Sequence, residues 1–221
     1  MKNIFFAVML TFLTVSHLFG TPVEEKILEA SNSLSKLLKN QNGIPMRIIE
    51  KAQAIVIIPG SIKFGLFIGA KYGEGVVSVK RSDGSWSYPF FVKMGDGSLG
   101  FQLGFELADT ILVFTTQNSV KGLLGDKFTI GVGATASIGP LSADVDKSTE
   151  VDMSSEIFTY SQKSGIFAGA SFNGTMLSLD EEKNRALYGS SINTQKILKE
   201  DDLSNVYGVK EFLKNINNLT R

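Results

Sequence analysis

The chain contains no cysteine. That absence excludes disulfides, thiolate nucleophiles, cysteine-ligated metals and lipid attachment through an N-terminal cysteine. Histidine is nearly absent as well, the only one being His17. Charge of either sign is not in excess, with 22 basic against 22 acidic residues. Nucleic-acid binding, which runs on surplus Lys and Arg, is therefore not expected, nor is a polybasic membrane tether. The long apolar run, Ile4 to Val15 (IFFAVMLTFLTV), is shorter than the ~20 residues a spanning helix needs.

That run has the anatomy of an export signal. Lys2 supplies a positive start, the apolar stretch follows, and Gly20 offers a small residue before Thr21-Pro22. Leu18 is not the small residue preferred at the −3 place, so the exact cut is left open. Removal of residues 1–20 takes His17 and Lys2 away. The mature chain then holds 21 basic and 22 acidic residues and no imidazole. Ser-His-Asp and Cys-His catalysis and His-ligated zinc cannot be built from it. An enzyme would have to work with carboxylates, Lys, Tyr or Ser alone, so none is expected. No cofactor or metal is expected either.

What is present is an ordinary globular composition. Of 221 residues, 43% are hydrophobic and 20% charged, enough for one good core and one domain over 21–221. Val23 to Lys39 reads as an amphipathic helix, with Val23, Ile27, Ala30, Leu34, Leu37 and Leu38 at three-and-four spacing. Glu24, Glu25 and Glu29 near its start and Lys36 and Lys39 near its end suit the helix dipole. A short helix over 46–51 follows Gly43 and Pro45.

From Ala54 to Leu179 the pattern is short β-branched runs between glycines. AIVII (54–58) stops at Pro59-Gly60. LFIGAKY (66–72) and GVVSVKR (75–81) flank Gly73-Glu74, a two-residue hairpin signal. Further strands are expected over 86–92, 99–105, 110–115, 128–138, 142–146, 156–161, 166–172 and 175–179, with one helical turn over 119–124. Asp180 is positioned to cap a helix over 181–188, and 193–199 and 209–216 read as two more. The expected class is α+β: an antiparallel barrel- or sandwich-like sheet flanked by N- and C-terminal helices.

Three motifs invite a function and fail their context. Gly95 to Gly100 fits GxGxxG, but a strand follows where a dinucleotide site needs a helix. Asp144, Asp146, Glu150 and Asp152 lack EF-hand spacing and read as a polar strand face. Ser171 sits in GASFNG, with the second glycine one place late for a lipase elbow. The Gly and Phe pattern says more. Phe64, Phe67, Phe90, Phe91, Phe101, Phe105, Phe167 and Phe172 lie beside glycines or turns, where they fill a core or line an apolar slot.

Several segments taken in order resemble the SYLF domain. They are AIVIIPGSIKFGLFIGAKYGEGVVSVK (54–80), DGSWSYPFFVKMGDGSLGFQLG (83–104), TILVF (110–114), IGPLSADVD (138–146) and IFTYSQKSGIFAGASFNGTMLSLDEEKNRALYG (157–189). The match runs from near Ala30 to Ile197. It departs from the family at Gly133-Ala134-Thr135-Ala136, where members often carry an LGAD-like element with an acidic residue.

The resemblance implies lipid or membrane-surface binding, with phosphoinositides as ligands of eukaryotic members. An exported bacterial member would instead meet phosphatidylglycerol, cardiolipin or another anionic phospholipid. Actin-linked roles belong to eukaryotic multidomain members and are not carried over. In those members an N-terminal amphipathic helix contributes. Here the corresponding segment has four acidic and four basic residues over 21–50, a mixed polar face that favours packing on the sheet. The candidate lipid-binding residues are Lys63, Lys71, Lys80, Arg81 and Lys93, concentrated in the first half of the β region. Trp86 joins them as an interfacial candidate, with burial in the core as its other reading. The rival functions are an envelope protein that binds another protein, and a carboxylate hydrolase using the acidic 144–156 stretch.

Overall fold

A computed structural model describes residues 21–40, 43–65, 69–98, 104–125, 127–142, 154–164, 166–203 and 206–219. The expected export signal and most of the acidic 144–156 stretch lie outside these.

The first helix, α1 (Pro22–Lys39), begins at a complete capping box. Thr21 accepts from the Glu24 amide, Glu24 returns to the Thr21 amide, and Pro22 opens the first turn. Ile27, Ala30 and Leu34 on its apolar stripe are fully buried. The helix therefore packs on the sheet, as its mixed polar face suggested. A short α2 (Met46–Lys51) adds Ile48 and Ile49 to the same layer.

The β region forms one mostly antiparallel sheet of nine described strands, curled as half of a barrel. The strands are β1 (Ala54–Gly65), β2 (Gly69–Val79), β3 (Phe90–Ser98), β4 (Gly104–Phe114), β5 (Phe128–Thr129), β6 (Ala136–Ile138), β7 (Ile157–Lys163), β8 (Ile166–Gly169) and β9 (Met176–Leu179). Their order is β5-β9-β3-β2-β1-β4-β7-β6, with β8 also on β7. The β6–β7 pair alone among these is parallel. Between β4 and β5 lies α3 (Gln117–Leu123); after β9 come α4 (Glu181–Tyr188), α5 (Thr194–Ile197) and α6 (Tyr207–Leu219). Asp180 caps α4 as expected, accepting from the Lys183 amide.

Two sequence expectations fail, one at a bulge and one at a close approach of two strands. Pro59-Gly60 does not end β1, which continues to Gly65 through a bulge. Gly73-Glu74 is not a hairpin; β2 runs straight through it. Glycine serves close approach here, not a turn. A Cβ on Gly73 would stand 2.4 Å from the Ile58 side chain, and one on Gly75 only 2.0 Å from the Ile57 carbonyl oxygen. At the bulge itself Gly60 takes φ +56°. Its amide donates to Asp109 at 3.0 Å, which satisfies a donor the bulge takes out of the ladder.

Both faces of the sheet carry a packed core. On one, Ile55, Ile57, Val76, Phe91 and Ile111 meet α1, α2 and α6. On the other, Val56, Ile58, Val77, Phe90 and Leu112 meet α3, Phe128, Phe172 and Ile197 of α5. Phe90, Phe91, Phe167 and Phe172 are all buried within these cores. Filling both faces with side chains of this size, at about 1.5–3 kcal/mol each, is what holds the layers together.

Candidate functional site

The structure divides the sequence candidates between opposite ends of β2 and β3. Lys80, Arg81 and Trp86 lie at one end, where Lys80 and Trp86 form an isolated bridge. Trp86 is 3% exposed and belongs to the core beneath α1. Arg81 is committed to the chain itself. Its guanidinium donates to the Leu198 and Glu200 carbonyls at 2.9 and 2.6 Å and to Asp201 at 2.7 Å.

Lys71 belongs to the other end, where Lys63 is its direct register partner, and Lys93 sits mid-sheet opposite Glu74. Lys71 donates to the Ser171 carbonyl at 2.8 Å, with its ammonium 4.5 Å from the centre of the Phe172 ring. Lys93 pairs with Asp180 at 3.1 Å, and this carboxylate raises its pKa above the ordinary lysine value. Glu74, directly opposite Lys93, is bonded by Lys183. That bond lowers the Glu74 pKa, while the Glu74 carboxylate accepts from the Tyr72 hydroxyl at 2.8 Å and raises the Tyr72 pKa. Across the sheet Asp109 accepts from Ser33 of α1 at 2.6 Å and lies 3.7 Å from Lys36. Glu74, Lys93 and Asp109 thus make a polar row that closes the α1 side of the core.

Beyond that row lies a feature the sequence reading missed. Register places Leu107 beside Ile62, Ile62 beside Tyr72, Tyr72 beside Gly95, and Gly95 beside Met176. One line therefore crosses five strands. Alternation puts Leu107 on the face of Asp109 and Tyr72 on the face of Glu74, so the row shares the α1 side of the sheet. Yet no described helix covers it: Ile62 is 37% exposed, Tyr72 53%, Leu107 49% and Met176 43%. A signal was there to find. Ile62-Lys63-Phe64 and Phe105-Glu106-Leu107 alternate apolar and charged residues, the signature of a half-covered strand.

The other motifs resolve simply. Gly95 to Ser98 lie within β3, so no helix opens on the GxGxxG segment there. Ser171 is exposed in the loop between β8 and β9, its carbonyl holding Lys71. Among the described residues no group of three or more His, Asp or Glu is placed to hold a metal ion. No described helix is long and apolar enough to cross a membrane.

The family model described as "Ysc84: Las17-binding protein actin regulator" matches residues 95–219. The chain belongs to the Ysc84 family, which carries the SYLF domain. SH3 domain-containing YSC84-like protein 1 of Homo sapiens is 29% identical over 193 residues, covering 82% of this chain and 56% of that protein. The Xenopus laevis protein of the same name is also 29% identical, over 181 residues, covering 77% and 54%. LAS seventeen-binding protein 3 of Saccharomyces cerevisiae is 30% identical over 176 residues, covering 78% and 38%. The chain thus spans a little over half of the animal relatives and well under half of the yeast one.

Proposed function

We propose that this Ysc84-family chain is an exported, non-enzymatic lipid-binding protein that docks on anionic phospholipid bilayers. The observation that carries the reading is that Lys71 and the register position of Lys63 lie one residue from the exposed Tyr72 and Ile62, with Lys93 nearby on the face that carries those two. Surface docking is favoured over an acyl chain held on the sheet, because packed cores already occupy both faces. Export rests on the sequence of residues 1–20. All described elements and both cores lie within 21–219, so the chain from Thr21 onward is the fold unit to test. It should sediment with phosphatidylglycerol vesicles and not with phosphatidylcholine vesicles. Binding should weaken between low and high salt, since surface ammonium–phosphate attraction is screened. Equal binding to both vesicle types would refute the anionic reading.

A protein partner is the second reading. Its support is that Gly104–Ala108 of β4 extends past the pairing with β7, leaving a strand edge with no neighbour on that side among the described residues. Saturable binding of an envelope protein without any vesicle binding would favour it.

A further inference from the structure

We infer that Gln162 and Asp109 hold an ordered internal water on the α1 side of the sheet, bridging β7 to the carboxylate that anchors the helix.

The argument starts from an orphaned side chain. Gln162 of β7 is 2% exposed, and its amide nitrogen Nε2 and oxygen Oε1 are both buried with no hydrogen-bond partner in the protein. Among the described residues no other side chain leaves a donor and an acceptor both unmet. The remaining buried orphans are one oxygen each of Asp180 and Glu181, and both carboxylates have partners. Asp180 has the Lys93 ammonium at 3.1 Å, and Glu181 accepts from the Thr194 hydroxyl at 2.6 Å. A buried amide left unmet is costly, and native proteins meet nearly all such groups with protein or with ordered water.

Register fixes the surroundings. Gln162 stands directly opposite Asp109 of β4 and Phe167 of β8. Alternation puts it on the face of Phe158 and Tyr160, which belong to the core beneath α1. Opposed residues of an antiparallel pair have Cβ atoms about 4.5–5.5 Å apart, so a single small molecule can touch both side chains. Tyr160 cannot serve the amide oxygen, because its hydroxyl donates to the Pro140 carbonyl at 3.2 Å. Asp109 is bonded elsewhere: Oδ2 accepts from Ser33 of α1 at 2.6 Å, and Oδ1 accepts from the Gly60 amide at 3.0 Å. A carboxylate oxygen can accept two hydrogen bonds, so Asp109 retains acceptor capacity.

These groups select the occupant. An anion is opposed by the Asp109 carboxylate. A cation is opposed by the Lys36 ammonium, 3.7 Å from the same carboxylate. A neutral guest must accept from the Gln162 Nε2 and donate to its Oε1 or to Asp109. The enclosure of both amide atoms keeps that guest small. Water has the donors, the acceptors and the size, and a buried water usually makes about 3 bonds to groups that would otherwise go unmet. Because Asp109 also takes the Ser33 hydroxyl, this water ties β7 into the polar contact that seats α1.

The test compares the chain from Thr21 onward with Gln162→Met, which keeps the length of the side chain and removes both polar atoms. With a water in place, the substitution takes away the partners of that water. The variant should then melt about 2–4 °C below the parent by circular dichroism. An amide with no partner at all would be relieved by the same change, so a variant melting above the parent would overturn the inference. Nuclear magnetic resonance supplies the second reading. The Gln162 side-chain amide protons, assigned by their loss in Gln162→Met, should show a rotating-frame Overhauser peak to water with the sign of dipolar contact rather than exchange. A lower melting point without that peak would mean a direct bond from Gln162 to Asp109, and would equally overturn the water.

Discussion

Arg81 separates a structural role from a membrane role in a single variant. Its side chain is 18% exposed and makes two charge-assisted bonds to backbone carbonyls and one ion pair to Asp201, itself 86% exposed. An exposed pair of that kind contributes about 0.2–1 kcal/mol. Hydrogen bonds from a charged donor contribute about 1.5–3 kcal/mol each. In Arg81→Ala the Glu200 carbonyl, exposed already, regains water, so part of that loss is recovered. The net cost is about 2–3 kcal/mol, which for a chain of this size lowers the melting temperature by about 4–12 °C. Thermal unfolding by circular dichroism reads it. Well below the new midpoint, binding to phosphatidylglycerol vesicles should match the parent, because Arg81 lies at the end of the sheet away from the exposed row. A variant that melts like the parent but no longer binds vesicles would refute this reasoning and return Arg81 to the lipid-contacting set.

Glycine placement makes a sharper stability contrast. Gly75→Ala drives a Cβ to 2.0 Å from the Ile57 carbonyl oxygen, a backbone atom held in the ladder. It should cost about 3 kcal/mol or more and lower the melting temperature by at least about 6 °C. Gly95→Ala meets nothing within 4 Å and should melt within about 2 °C of the parent; equal melting of the two variants would contradict the packing described. At alkaline pH the buried tyrosines set the limit. Burial raises the pKa of Tyr160 and Tyr188, whose hydroxyls donate to the Pro140 and Pro89 carbonyls. The folded state keeps two protons that the unfolded chain releases near pH 10, so this stability is intact below about pH 10 and is lost as pH rises beyond it. Tyrosinate absorbance, compared with Tyr160→Phe and Tyr188→Phe, should show these two ionising only as the circular dichroism collapses. Ionisation near pH 10 with the fold intact would contradict their burial.

Local chemistry was legible in the chain because it depends on neighbours in sequence. The helix of Pro22–Lys39 follows from its apolar spacing and dipole-matched ends, and that of Glu181–Tyr188 from the Asp180 cap. The α+β class follows from where the periodicity changes. Family membership was legible because five segments keep their order. Glycine was the ambiguous letter: the same residue marks a turn or a close contact, and Gly73 and Gly75 are the second kind, decided by the β1 bulge pressing on β2. Which lysines share a surface was equally out of reach. Lys71 and Lys80 are nine positions apart on one segment, yet register and strand direction send them to opposite ends of the sheet. The exposed row is the clearest case. Ile62, Tyr72, Leu107 and Met176 are separated by up to 114 positions, and only the pairing of five strands, with helices that stop one row short, makes them a single surface. Sequence by itself determined the terminal helices, the class and the absence of thiol chemistry. Tertiary structure decided which side chains meet and which stay uncovered, because burial is a property of pairs of distant segments.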